Sequence, residues 1–244
     1  MTATHTAAIR RSAFIDGAIA CGPTILGYWS IGFAAGAIGA ISGFSPGEVT
    51  LLAMLLYAGS AQFLFYSMWI GGAGSLAIVL AVLLVNIRYL LMSSYLARYF
   101  NGLSRWQKFV SGMLLTDETF GVAAQQAARQ EKIPFWWMFG LNGAAYLNWI
   151  VANVLGAVFA RSIPEVFAHR LGFSLTAMFI GLIVLTWSAS RHRKLEIVAM
   201  LISAAVILAS LGFIDVNLSL LLATAVAATV CAALLRVFPA EGRA

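Results

Sequence analysis

Runs of about 20 apolar residues recur along this chain with only short polar turns between them. A helix needs roughly that length to cross the hydrocarbon core of a bilayer. The runs fall at about 14–41, 48–70, 74–98, 107–128, 135–160, 172–190, 195–213 and 217–237. Only 10% of the 244 residues are charged and 61% are hydrophobic, with a mean hydropathy of +0.91. A soluble domain carries about 25% charged residues to cover its surface, so lipid is the solvent that suits this chain. The expected fold is an all-α integral membrane protein, a polytopic bundle of about seven or eight hydrophobic segments. A single transmembrane domain is expected over 14–237, with cytoplasmic tails at 1–13 and 238–244.

Several function classes drop out on inventory. No stretch between segments is long enough for a soluble catalytic or nucleotide-binding domain. No Gly is followed by Lys, so the phosphate-binding Walker pattern is absent. The net charge of +6 comes from short basic runs between apolar segments, where membrane orientation places them, and implies no nucleic-acid partner. His5, His169 and His192 lie at segment ends or in loops, too scattered for a metal site or a membrane-embedded Ser-His pair. No enzyme activity, metal or cofactor is expected. Cys21 and Cys231 both lie inside apolar segments and read as reduced packing residues.

Two segments depart from a plain crossing. The first is long and is interrupted by Gly22-Pro23 and Gly27; Pro removes a backbone donor and disrupts the turn before it, so two half-helices are possible there. The fourth carries Thr116-Asp117-Glu118-Thr119 near its centre, which must be buried in protein or lined by water. Eight plain crossings split the Lys and Arg of loops and termini nine inside (Arg10, Arg11, Arg129, Lys132, Arg191, Arg193, Lys194, Arg236, Arg243) to five outside (Arg98, Arg105, Lys108, Arg161, Arg170). If the first and fourth segments re-enter on the cytoplasmic side, only Arg161 and Arg170 stay outside, which fits the positive-inside rule better. Both arrangements put both termini inside.

Candidate functional residues are those that lipid would not tolerate. Arg88 lies about ten residues from Arg98, hence roughly 15 Å deep at 1.5 Å per residue, too far to snorkel comfortably. Either it pairs with Asp117, Glu118 or Asp16, or it contacts a solute. Asn86 shares a helix face with Tyr89 and Ser93, a stripe that lines a pathway or glues helices together. Asp117 and Glu118 can hold an ammonium group, take a proton as a coupling site, or simply neutralise Arg88. Gln62 ends the small-residue run Ala58-Gly59-Ser60-Ala61 and is a binding candidate. Asn142, Asn148 and Asn153 share no single face. Asp16, Pro23 and Tyr28 mark the first segment, where a helix broken near the midplane would expose backbone groups to a solute; Asp16 can equally occupy a first helical turn. The pairs Gly32 with Gly36 and Gly39 with Gly43 read as helix-packing contacts.

Taken in order, Asp16-Gly17 with Pro23 and Gly27-Tyr28, then Tyr57-Ala58-Gly59-Ser60-Ala61-Gln62-Phe63, Asn86-x-Arg88-Tyr89 and Thr116-Asp117-Glu118-Thr119-Phe120 resemble the AzlC-type branched-chain amino acid permeases. These are the large subunit of a two-component exporter. The motifs cover about residues 14–125, and the family pattern often has His where this chain has Tyr89. The resemblance implies a multi-pass protein of a bacterial inner membrane, exporting valine, leucine, isoleucine or methionine with a small AzlD-type membrane subunit. It is compatible with Arg88 or a half-helix amino end for the carboxylate and Asp117 or Glu118 for the ammonium. Asp16, Asp117 and Glu118 are the candidates for ion coupling. A channel or permease for a different small polar solute is the alternative, and a non-transporting scaffold a third.

Overall fold

The computed structural model describes residues 3–162, 193–214 and 216–237, with isolated positions between 173 and 187. Most of the 172–190 segment, His169, His192 and the 238–244 tail lie outside the described residues. The chain forms two compact units, 1–180 and 181–244. In the second, α9 (Arg193–Ser210) packs against α10 (Val216–Val237).

The first unit carries the candidate residues. Its helices are α1 (Ala3–Ala20), α2 (Ile25–Ile41), α3 (Pro46–Leu56), α4 (Gly59–Ile70), α5 (Ser75–Ala97), α6 (Arg105–Met113), α7 (Asp117–Gln130) and α8 (Phe135–Phe159). Ala7–Ile41, Ser75–Ala97 and Phe135–Phe159 are long and apolar enough to cross a membrane. Along α5, Leu76, Leu83, Leu90 and Leu91 are all exposed, which suits hydrocarbon and not water.

The first segment is broken but does not turn back. Gly22–Thr24 form one 3-10 turn with Pro23 in its first positions, and α2 then continues along α8 in the direction of α1. A Cβ at Gly17 would strike the Trp137 carbonyl, and one at Gly140 the Phe14 carbonyl. The same reciprocal contact recurs further on, Gly36 against Asn153 and Gly156 against Phe33. Four glycines thus let two parallel rods touch backbone to backbone at two levels. Gly32 packs on Ala152 as expected, whereas Gly43 (φ +94°) is a turn residue with open space around it. The re-entry considered for the first segment is therefore not found.

The fourth segment does re-enter. α6 packs beside the end of α5, Gly112 against Ser93. The chain breaks at Leu114–Thr116, and α7 then runs back alongside α5: Asp117 lies at Arg88, Phe120 at Tyr95, and Ile133 N–H donates to the Tyr99 carbonyl at 3.1 Å.

The second segment, which reads as a plain crossing, also turns back. Gly39, near the end of α2, faces both Val49 at the start of α3 and Tyr66 near the end of α4, while Gly59 at the start of α4 faces Ile31. Tyr57, in the left-handed region at φ 41°, makes the reversal.

The two hairpins enter from opposite faces, α3–α4 from the face where α2 ends and α6–α7 from the face where α8 begins. Their turns, caps and breaks recur at a constant offset of 59 positions. Gly43 and Gly102 (φ +94° and +80°) open the turns. Ser45 and Ser104 cap α3 and α6, with Glu48 and Gln107 closing each capping box. Met54-Leu55-Leu56 and Met113-Leu114-Leu115 precede the breaks, and Gly72 and Glu131 (φ 70° and 55°) follow the returning helices. With α5 and α8 completing each copy, this is an inverted repeat.

Candidate functional site

The tips of both hairpins stop at mid-depth beside the three crossing helices. Arg88 lies about 20 Å from one end of α5 and about 14 Å from the other, at 1.5 Å per residue. Its Nη2 meets Asp117 Oδ2 at 2.9 Å, donates to Ser60 Oγ at 2.6 Å and to the Tyr89 hydroxyl at 3.3 Å. The guanidinium carbon sits 5.0 Å from the Tyr89 ring centre. One cation thus ties α5 to the tip of each hairpin. Of the pairings open to Arg88, Asp117 is the one made; Asp16 is exposed on α1, with Ser12 at 3.4 Å.

Next to this pair is a recess of about 290 Å³, a volume that includes space open to the outside. Tyr28 of α2, Tyr89 of α5 and Trp149 of α8 line it from the crossing helices. Tyr57 and Gly59 reach it from one hairpin tip, and Thr116, Asp117 and Glu118 from the other. The enclosed part of the recess is about 20 Å³, room for about one water. Tyr28 and Thr116 share a hydrogen bond at 2.5 Å across the α2–α7 junction. Thr116 also caps α7, its Oγ1 accepting from Thr119 N–H at 3.3 Å. Asp117 and Glu118 then fall in the first turn of α7, where the helix dipole favours negative charge.

Of the sequence candidates, Arg88, Asp117, Glu118 and Tyr28 come together. Gln62 does not join them: fully buried, it donates to Asn153 Oδ1 at 2.7 Å and to the Tyr66 hydroxyl at 3.0 Å, binding α4 to α8. Asn86 does not line the recess, and its Oδ1 is buried with no hydrogen-bond partner. Pro23 is exposed in the 3-10 turn. The three asparagines of α8 each serve a different neighbour: Asn142 donates to the Ser111 carbonyl, Asn148 accepts from Trp29 Nε1, and Asn153 takes Gln62. Trp149 was missed, although a Trp so far from both ends of an apolar segment is itself a signal, because Trp favours the membrane interface. Among the described residues no cluster of His, Cys, Asp and Glu is suited to a metal ion, and Cys21 and Cys231 are both free.

A helical membrane protein with oppositely entering half-helix pairs meeting at a half-buried ion pair belongs among the inverted-repeat, discontinuous-helix membrane architectures. Within that class the chain is a member of the AzlC family: residues 23–163 match the family described as AzlC protein. It is 27% identical over 201 residues to the inner membrane protein YgaZ of Escherichia coli, covering 79% of this chain and 80% of that one. It is 25% identical over 168 residues to the branched-chain amino acid transport protein AzlC of Bacillus subtilis, covering 68% of this chain and 64% of that one. An uncharacterized membrane protein of Archaeoglobus fulgidus is 25% identical over 178 residues, covering 72% and 76%. No solved structure matches the chain.

Proposed function

We propose that this protein is a secondary transporter, and no enzyme, that exports branched-chain or other neutral amino acids such as valine, leucine, isoleucine and methionine. The observation that carries this reading is the Arg88–Asp117 pair, held where two hairpins from opposite faces meet over a small recess. A zwitterion crossing hydrocarbon needs both charges matched, since unpaired burial costs many kcal/mol. Asp117 and Glu118 offer the counter-charge for the ammonium. While Asp117 is engaged with Arg88, the two neutralise each other, and Glu118 remains for the ammonium. A solute that draws Asp117 away loosens the tie between the hairpins, and movement of either one then opens the recess to its own face. The same acids are the candidates for coupling to an ion such as a proton.

Orientation follows from charge. Arg10, Arg11, Arg98, Arg105, Lys108, Arg129 and Lys132 gather at the face where α8 begins, against Arg161 among the described residues at the other face. The positive-inside rule makes the first face cytoplasmic, in a multi-pass protein of a bacterial inner membrane. The small partner implied by family resemblance is an AzlD-type subunit. The test is uptake of labelled leucine, valine and methionine into inside-out vesicles, with and without the small partner, across an imposed proton gradient. Saturable uptake with counter-flow is expected. Ungated, non-saturable conductance would favour the channel reading, and no flux of any of the three would remove the proposal.

A further inference from the structure

We propose that the carboxylate of the solute is received by the first turn of α4 together with the Tyr57 hydroxyl and the Trp149 indole N–H, while Arg88 acts as a latch between the hairpins. This inference rests on the reading of the recess as an amino acid site and deepens it.

Four half-helices build the two hairpins, and three of them begin with a complete side-chain capping box: α3, α6 and α7. The fourth, α4, has Ala58 at its cap and no side-chain hydrogen bond there. Its first backbone bond runs from Gln62 N–H to the Ala58 carbonyl at 2.9 Å, so the N–H groups of Gly59, Ser60 and Ala61 precede the intrahelical ladder. This is the end of a helix that attracts an anion, and Gly59 places it against the recess. α7 differs in kind, because its own Asp117 and Glu118 occupy the first turn. α4 has no acid of its own in its first turn.

Independent of the helix end, two donors at the same recess lack acceptors. Tyr57 is 8% exposed and Trp149 4% exposed, both line the recess, and the Tyr57 hydroxyl and Trp149 Nε1 are buried with no hydrogen-bond partner. An indole N–H can only donate, and a buried donor without an acceptor is costly, so the site is complete only when an acceptor arrives. Arg88 is committed elsewhere: moving it to a carboxylate would leave Asp117 partly buried with no cation beside it. The recess therefore presents N–H groups from one hairpin tip and carboxylates from the other, the complement of an α-amino acid's two charges.

The test is binding of leucine and of leucinamide, which keeps the amine and side chain but lacks the carboxylate, to the purified full chain by displacement of labelled leucine. Wild type is expected to prefer leucine by at least about 100-fold. Tyr57→Phe and Trp149→Phe should each weaken leucine about tenfold, the loss of one hydrogen bond to a charged group, with leucinamide unchanged, while Arg88→Lys keeps the leucine-to-leucinamide ratio. If instead Arg88→Lys collapses the ratio and the two Phe variants leave it intact, the carboxylate sits on Arg88 and the proposal is overturned. Equal losses for both ligands in both Phe variants also overturn it, since that marks a structural role. Wild type with no saturable leucine binding defeats the amino acid reading itself, an outcome distinct from either of these.

Discussion

The Arg88–Asp117 pair allows a worked prediction. At 2.9 Å and an effective dielectric near 20, the attraction between unit charges is on the order of 6 kcal/mol. Desolvation offsets much of it, and with Arg88 24% and Asp117 11% exposed the pair is only partly shielded from solvent. Ser60 and Tyr89 continue to hold the guanidinium when Asp117 is removed. A coupling energy of about 2–3 kcal/mol is therefore expected. Arg88→Met should cost more than Asp117→Asn, because it leaves Asp117 and the adjacent Glu118 with no cation beside them, whereas the guanidinium left by Asp117→Asn keeps Ser60 and Tyr89. A protein of this size moves its midpoint by about 2–4 °C per kcal/mol, so each single variant should melt about 4–12 °C lower in detergent. The double variant should recover most of the loss. Cys21, buried and free, makes maleimide-dye labelling on unfolding a direct readout. Transport should be lost in all three proteins, even in the double variant that has regained its stability. Single-variant effects that simply add, within about 0.5 kcal/mol, would show that the two charges do not interact. A double variant that still transports would remove the pair from the solute's route.

The hairpins predict labelling by a membrane-impermeant thiol reagent in a background lacking Cys21 and Cys231. Ser42→Cys and Ala73→Cys should react from one side of the membrane and Asn101→Cys and Gln130→Cys from the other; reaction of positions 42 and 73 from opposite sides would restore the plain crossing for α3–α4. Gly36→Ala and Gly140→Ala each place a methyl group against a carbonyl of the facing helix and should cost about 3 kcal/mol, the upper end of overpacking, read as lost folding yield and a lowered melting midpoint. Gly22→Ala, with open space around it, is the control and should behave as wild type.

What the sequence determined alone is the solvent and the discontinuities. Segment length and the shortage of charge leave lipid as the surroundings, and charges that lipid excludes, at Arg88 and at Asp117-Glu118, had to find each other or water. Gly22-Pro23 and Thr116 to Thr119 announce themselves as breaks because each violates a local helical rule. The break at Tyr57-Ala58 does not, since it sits in an unbroken apolar run and depends on one residue held in the left-handed region. Self-comparison at an offset of 59 is the signal that would have found it, through Gly43, Ser45 and Met54-Leu55-Leu56 recurring at Gly102, Ser104 and Met113-Leu114-Leu115.

Tertiary structure alone decided which breaks reverse the chain. A local break permits a change of direction without dictating one. α2 carries straight on past Pro23 because glycines at 17, 36, 140 and 156 hold the whole first segment along α8. α4 turns back because Gln62 finds Asn153, and Gly39 admits Tyr66. The recess has the same origin. Tyr57 and the α4 amino end are neighbours in the chain, but Trp149 lies about 90 positions away, and only the packing of the first hairpin tip against α8, Gly59 on Trp149, gives their unpaired donors something in common.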